Sequence, residues 1–475
     1  MIPTIAPPIT NDDRDIKFNR IYIFAIALTA ALGGLMFGYD WVVIGGAELF
    51  YERYFHLVSP LQIGWTMSSA LMGALVGAMF AGILSDKLGR KPLLIASGLL
   101  FVATSLGTGL APSFFLFIAN RLLGGVAIGI ASSLSPLYIA EIAPASMRGR
   151  LVSVNQLTIA LGVMLAQIVN WLIAQPVADG IPINQLPFDS WNVQAAWRWM
   201  FSVTAIPAVV FFIAMFFVPE SPRWLAKKGR PEKALKVLAR IGGSSYAERS
   251  VSDIQATLVD EIDKVDLREL LTPKMLKIIF LGVVLAVFQQ WCGINVIFQY
   301  GSRIFAEAGY AVSGILFSIL ITGVVAVLMT FVAIATVDRW GRRVLMLSGS
   351  LGLTVIYLAT GWAYHEHLTG LIPVVLVVAA IACYCYSLAP ITWVILSEIF
   401  PNRIRGGAMS ISVVALWLGN FLLSQTFPVM NEKFGLANCF WIYSGICLAG
   451  FLFILFQLPE TKGKTLEVIE RELVD

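Results

Sequence analysis

Two ionisable residues stand inside long apolar runs: Asp40, in Phe37-Gly38-Tyr39-Asp40, and Arg121, in Asn120-Arg121-Leu122-Leu123-Gly124-Gly125. An uncompensated charge in such a setting costs about 3 kcal/mol on insertion scales. Side by side the two neutralise each other and the carboxylate stays ionised; drawn apart, desolvation favours its protonation. The pair reads either as a proton switch or as a permanent tie between two segments. A second set carries no charge: the amides Gln156, Gln289, Gln290 and Asn295. Each offers donors and an acceptor together, which suits a ligand rich in hydroxyls, although polar residues in apolar helices also bond neighbouring helices. Gly293 lies between Gln290 and Asn295 and loosens a helix there, so that residues off one ideal face converge.

Other chemistries find little support. The five cysteines, Cys292, Cys383, Cys385, Cys439 and Cys447, show no Cys-x-x-Cys spacing and read as small buried hydrophobes. Of the three histidines, His365 and His367 flank Glu366 in an expected exposed loop, and none falls within an apolar run. No metal site or cofactor is expected. Nor does a nucleophile–base set or a carboxylate pair stand out inside the apolar runs, which argues against an enzyme. Gly463-Lys464-Thr465 suggests a phosphate loop, but Leu458 breaks the required spacing.

The elements that must position these residues follow from composition. Of the 475 residues, 58% are hydrophobic and 13% charged, with a mean hydropathy of +0.80. A soluble protein carries about 25% charged residues. A soluble enzyme or nucleic-acid binder is thereby disfavoured, and the net charge of +4 adds little. A bilayer crossing needs about 20 mostly apolar residues. Twelve stretches qualify: 21–45, 61–84, 93–111, 115–138, 151–175, 199–218, 276–300, 313–336, 344–364, 371–396, 407–427 and 438–458. Each is expected to be a helix, because lipid offers backbone groups no partner. The first follows a polar, mixed-charge stretch, Asn11 to Arg20, with no secretory leader pattern.

Charge sets the orientation. Of the 33 Lys and Arg, Arg53, Arg198, Arg303 and Lys433 fall on one side and Arg121 inside a span; all the others fall on the opposite side, in the two tails and the loops near 85–92, 146–150, 221–277, 338–343 and 402–406. By the positive-inside rule that side is cytoplasmic, with both termini. The expected organisation is a tail 1–20, a six-helix unit 21–220, a linker 221–275 of amphipathic cytoplasmic helices, a second six-helix unit 276–458 and a tail 459–475.

The two units repeat each other. Asp86-Lys87-Leu88-Gly89-Arg90-Lys91 is matched by Asp338-Arg339-Trp340-Gly341-Arg342-Arg343. Glu141-Ile142-Ala143-Pro144 with Arg148 is matched by Glu398-Ile399-Phe400-Pro401 with Arg405. Pro219-Glu220-Ser221-Pro222-Arg223 is matched by Pro459-Glu460-Thr461-Lys462. Two six-helix halves rocking about a central site are a known transporter architecture. The acids Asp86, Glu141, Glu220, Asp338, Glu398 and Glu460 and the arginines Arg90, Arg148, Arg223, Arg342 and Arg405 are expected to form a cytoplasmic gate, or to fix topology alone. Pairs near water are worth only about 0–1 kcal/mol each, which suits a latch that opens every cycle. Pro390 and Pro401 bracket a half-span in which a kink could also gate.

These motifs resemble the sugar porter family of the major facilitator superfamily over about residues 20–470, and look most similar to its bacterial proton-coupled xylose and glucose symporters. The Asp-Gly-Arg loop pattern is general to the superfamily. Pro219-Glu220-Ser221-Pro222-Arg223-Trp224-Leu225, Gln289-Gln290 with Gly293-Ile294-Asn295, and Pro459-Glu460-Thr461-Lys462-Gly463 are more specific. The resemblance implies an all-α membrane protein with the twelve-helix major facilitator fold. It implies proton:monosaccharide symport of a hexose or pentose at the cell membrane, with Asp40 as the proton switch paired to Arg121. It assigns Gln156, Gln289, Gln290 and Asn295 to the sugar, with Trp393 and Trp417 covering the ring face and Tyr384 and Phe37 as further candidates. The expected partners are a sugar, protons and lipid; no nucleic acid is expected, and the working unit is expected to be a monomer. Passive facilitated uniport is the alternative, since Thr204 stands where some symporters of the family carry a second carboxylate. Gln299, Leu416 and Ala326 also depart from the family pattern and leave the sugar open. A non-transporting sugar sensor is a further alternative, disfavoured by the short stretch after the last span.

Overall fold

The structure, a computed structural model, describes residues 18–144, 146–177, 186–261, 272–400 and 405–462. Most of the 1–20 tail, residues 262–271 of the linker and the chain beyond 462 lie outside the described residues, as do the side chains of Asp338 and Arg405. The first half comprises α1 Arg20–Tyr54, α2 Pro60–Leu88, α3 Arg90–Gly109, α4 Phe114–Ile142, α5 Arg148–Ile173 and α6 Asn192–Phe217. Three short helices follow: α7 Pro222–Lys227, α8 Pro231–Gly242 and α9 Ser244–Glu261. The second half comprises α10 Pro273–Trp291, α11 Ile294–Gln299, α12 Gly301–Glu307, α13 Val312–Trp340, α14 Arg342–His365, α15 Leu371–Tyr386, α16 Leu388–Ile399 and α17 Arg405–Gln457.

By length and hydropathy, eleven of the described helical stretches are long and apolar enough to cross a membrane. The last of them, α17, contains two crossings. Its 53 residues would span about 80 Å as one straight helix, against a hydrocarbon core of about 30 Å. Gly435, at φ 79° and ψ 161°, breaks it. That backbone region strains any residue with a Cβ. The twelve crossings read from hydropathy are thus all present. Exposed Phe80, Phe217, Phe280, Leu358 and Phe456 around the helices fit a multi-pass membrane protein with an apolar surround.

Small residues set the closest helix approaches. A Cβ on Gly125 or Gly129 of α4 would run into the Ala70 or Ala74 carbonyl of α2, and one on Gly73 or Gly77 into α4 in return. Gly38 and Gly162 join α1 to α5 in the same way. The linker helix α8 buries Ala234, Leu238 and Ile241 in the core cluster of the first half, and the Ile241 carbonyl accepts from the Asn19 N–H at 2.8 Å.

Several boundaries differ from those read off hydropathy. Helix α1 continues past 45 to Tyr54 and carries Glu48 and Glu52 along one face, so an acidic pair does lie on a spanning helix. The stretch 276–300 is not one helix: Gly293, left-handed at φ 88° and ψ −10°, separates α10 from α11. The stretch 371–396 is broken as well, at Ser387 (φ −123°, ψ −90°), just ahead of Pro390. Proline has no N–H to donate into the preceding turn, so the helix restarts there.

Candidate transport site

Arg121 on α4 donates through Nη1 to Asp40 Oδ1 on α1 at 2.7 Å, and both side chains are almost fully buried. The guanidinium also lies over the Phe201 ring of α6, 5.3 Å from its centroid, and its Nε has no partner among the described residues. The pair forms part of the wall of a narrow central cleft. Both halves line this cleft: Phe37, Trp41 and Arg121 from the first, Gln299 and Trp417 from the second. On its other side the pair faces a small pocket lined by Thr104, Ser105, Thr108 and Asn120 together with Phe101 and Phe201.

Aromatic rings dominate the cleft. Phe37 meets Trp417 edge-on at 5.7 Å and stacks on Trp41 at 6.1 Å, while Trp41 tilts against Phe298 at 5.3 Å. Phe37 and Trp417 therefore sit together with Asp40 and Arg121. Trp41, which lines the cleft, is not singled out by the sequence, because aromatics within a span are more often core or belt than ligand. The only signal was Trp41 directly following Asp40.

The helix break at Gly293 brings three of the amides into one chain. Asn295 Nδ2 donates to Gln290 Oε1 at 2.5 Å, Gln290 Nε2 to Gln289 Oε1 at 3.0 Å, and Gln289 Nε2 to the Ala389 carbonyl at 3.0 Å. The chain ends on α16, just past the break at Ser387. Its other end, Asn295 Oδ1, is a buried acceptor with no partner among the described residues. A buried orphan acceptor costs about 1–3 kcal/mol, which a ligand hydroxyl would recover. Gln299, one turn along α11, is fixed by Ser424, whose hydroxyl donates to Gln299 Oε1 at 2.5 Å. The other candidates are not gathered at this cleft. Gln289, Gln290, Asn295 and Tyr384 are buried, Gln156 is half-buried and Trp393 is 38% exposed; none of the six lines it.

At the basic end of the molecule the duplicated motifs build the same device twice. Gly89 (φ 105°) and Gly341 (φ 90°) end α2 and α13, and a carboxylate then caps the following helix. Glu220 accepts from the Arg90 and Lys91 N–H groups at 3.1 and 3.2 Å, and Glu460 from those of Arg342 and Arg343 at 3.0 and 3.1 Å. An anion at a helix N-terminus satisfies free N–H groups and meets the positive end of the helix dipole. Burial pushes the Glu220 carboxyl above its usual range, against the pull of those N–H groups. Arg90 is paired with Glu141 at 3.0 Å and with Asp86 at 2.9 Å, and Lys227 holds Asp86 at 3.0 Å. Arg342 repeats the contact with Glu398 at 3.1 Å. Arg148 and Arg223 are exposed. None of these ion pairs joins the two halves: they lie within a half or, for Lys227 of α7, tie the linker to the first half, so the acids act here as helix caps and local ties. The described hydrogen bonds between the halves lie at the opposite end: Ser68 Oγ to Gln425 Oε1 at 2.7 Å, Gln167 Nε2 to Thr322 Oγ1 at 3.2 Å, and Ser302 Oγ to the Gly45 carbonyl at 2.5 Å.

The five cysteines are free and buried. His365, Glu366 and His367 are exposed.

Twelve crossings in two repeated halves, with a cleft between the halves and a buried ion pair in its wall, define a secondary transporter. The family model for sugar (and other) transporters matches residues 26–473, and the chain belongs to that family. It is 37% identical to the arabinose-proton symporter of Bacillus subtilis (strain 168) over 95% of each chain. It is 39% identical to the glucose transport protein of Synechocystis sp., covering 98% of this chain and 100% of the relative. Its fold matches that of the xylose transporter XylE from E. coli in a partially occluded inward-open conformation. The TM-score is 0.82 at 34% identity, covering 94% of this chain and all of the other.

Proposed function

We propose that the protein is a proton:monosaccharide symporter of the cell membrane, taking a hexose or pentose. The basic end with both termini faces the cytoplasm. Residues 21–220 and 276–458 are the two rocking halves, 221–275 is the linker between them, and one chain, surrounded by lipid, is the working unit. One observation carries this reading: the Asp40–Arg121 pair is part of the wall of the same cleft that Trp417, Phe37 and Gln299 line. A sugar in the cleft and a proton on Asp40 therefore act on one set of helices.

The mechanism follows from charge and solvation. Ionised and bonded to Arg121, Asp40 is neutralised. When α1 and α4 shift and the bond stretches, the carboxylate loses its counter-charge in a dry setting and takes a proton. The sugar hydroxyls replace water at Gln289, Gln290 and Asn295, and the rings of Trp417 and Phe37 cover its apolar face. We also assign Gln156, Trp393 and Tyr384 to the substrate path, reached in other stages of the cycle. The outer end is closed by bonds between the halves, which supports a cytoplasm-facing state. The duplicated pairs around Arg90 and Arg342 hold each half rigid as it rocks. Together with Arg148, Arg223, Asp338 and Arg405 they form the cytoplasmic gate in the opposite state.

The test is Asp40→Asn in proteoliposomes loaded with unlabelled sugar. Exchange of labelled sugar should persist while accumulation driven by a proton gradient disappears. Undiminished accumulation would remove Asp40 from coupling. Equilibration without accumulation in the unsubstituted protein would instead favour uniport, the reading suggested by Thr204.

A further inference from the structure

A second group of charges bridges the two halves, far from Asp40. Glu48 and Glu52, one turn apart near the end of α1, both bind Arg303 on α12. Arg303 Nε donates to Glu48 and its Nη2 to Glu52 at 2.6 Å. Glu48 is fully buried, and the side chains of Glu52 and Arg303 are 14% and 27% exposed. Beside them Ser302 bonds the Gly45 carbonyl across the same seam, and a Cβ on Gly45 would press within 2.7 Å of the Phe298 and Gln299 carbonyls. Here α1 meets the second half closely, at the end away from the basic surface.

The charges do not balance. Two carboxylates share one guanidinium, which leaves one surplus negative charge in a largely desolvated seam. The second Glu48 oxygen, Oε2, is buried with no hydrogen-bond partner among the described residues, a costly setting for an ionised carboxylate oxygen. Among the described residues, the surrounding groups do not supply the missing positive charge. The Tyr51 hydroxyl is directed to Met67 Sδ at 3.7 Å and the Tyr300 hydroxyl to the Ser424 carbonyl at 2.6 Å. Glu307 adds a further acid near Arg303, and Arg53 is exposed. One proton shared by Glu48 and Glu52 makes the trio neutral.

We propose that Glu48, Glu52 and Arg303 form a second proton-binding site, separate from Asp40, which takes up one proton each time the outer end of the transporter closes. Opening parts α1 from α12, admits water and returns the proton to the same side. The site therefore carries no proton across the membrane. It makes closure of the outer end depend on external acidity, so that an acidic exterior favours the cytoplasm-facing state whether or not Asp40 titrates.

The proposal rests on the alternating-access reading but not on Asp40, and the test separates the two. Ser68→Cys places a thiol in the outer seam, where a membrane-impermeant maleimide reaches it only when the outer end is open. In the Ser68→Cys/Asp40→Asn protein, labelling from outside, corrected for the intrinsic pH dependence of the thiol reaction, should slow as the external pH falls. The slope should approach about tenfold per pH unit, the limit for one linked proton. Adding Glu48→Gln or, separately, Glu52→Gln should flatten that dependence, since either amide removes the surplus charge. A change of labelling on adding sugar shows that each variant is folded and cycling. A labelling rate that responds to sugar but not to external pH would overturn the proposal while leaving alternating access intact. So would a pH response that both amide variants retain. Labelling in the Ser68→Cys protein that ignores sugar would refute the rocking mechanism itself.

Discussion

At the residue scale, the chemistry of this transporter rests on a few groups whose partners decide their roles. Asp40 is held by one guanidinium at 2.7 Å, and removing that partner leaves a buried carboxylate alone. Arg121→Ala should therefore keep Asp40 protonated across the working range. Accumulation should be lost with sugar exchange retained, as in Asp40→Asn; normal accumulation by Arg121→Ala would contradict the pairing. The aromatic wall makes a separate prediction. An aromatic contact is worth about 0.5–1.5 kcal/mol beyond area, so Trp417→Ala should raise KM for sugar roughly 2- to 12-fold. A KM within twofold of the parent would place the sugar away from that ring. Much of this chemistry was legible in the sequence, because Asp40, Arg121 and the amides are polar residues in apolar runs and so stand out by cost. What stayed hidden was Trp41, indistinguishable by type from packing aromatics such as its neighbour Phe298. The acid pair Glu48 and Glu52 was hidden too, since hydropathy ended the first span near 45 whereas the helix runs on to Tyr54.

At the element scale, the halves are rigid because their helix ends are stapled. Glu220 and Glu460 perform one job twice, capping α3 and α14 across the turns at Gly89 and Gly341. Loss of a capping carboxylate costs about 0.5–2 kcal/mol. Glu220→Ala and Glu460→Ala should therefore lower the thermal midpoint in detergent by similar amounts, and a fall for one without the other would deny their equivalence. The close seam between α2 and α4 makes a sharper demand: Gly125→Val drives a side chain into the Ala70 backbone and should sharply reduce the yield of folded protein. Near-normal yield and thermal midpoint would mean that the seam is looser than its geometry. The twelve crossings could be read from hydropathy since lipid forces each apolar run into a helix. The breaks at Gly293 and Ser387 could be placed only loosely: a glycine or a proline marks where a helix is free to break, while the packing around it decides whether and at which residue it does. The repeated acid–arginine motifs were legible as motifs, but their geometry was not. Sequence cannot tell a carboxylate that caps a backbone from one that pairs with a side chain, and Glu220 and Glu460 do the former.

At the scale of the whole molecule, two repeated six-helix halves meet around one cleft and are bonded to each other at the end away from the basic surface. The Arg90–Asp86, Arg90–Glu141, Lys227–Asp86 and Arg342–Glu398 pairs at the basic end do not join the two halves, so parting the halves there breaks none of them. That asymmetry is what a rocking transporter needs in one of its two states, and membership of the sugar transporter family accords with it. The central claim is that sugar and proton move together through this cleft. The most direct measurement is the pH of a lightly buffered suspension of proteoliposomes with no imposed gradient when sugar is added outside. Proton symport predicts alkalinisation of the medium as sugar enters, abolished by a protonophore and absent in Asp40→Asn. Sugar that enters and equilibrates with no change of external pH would contradict the account and make the Asp40–Arg121 pair a structural tie.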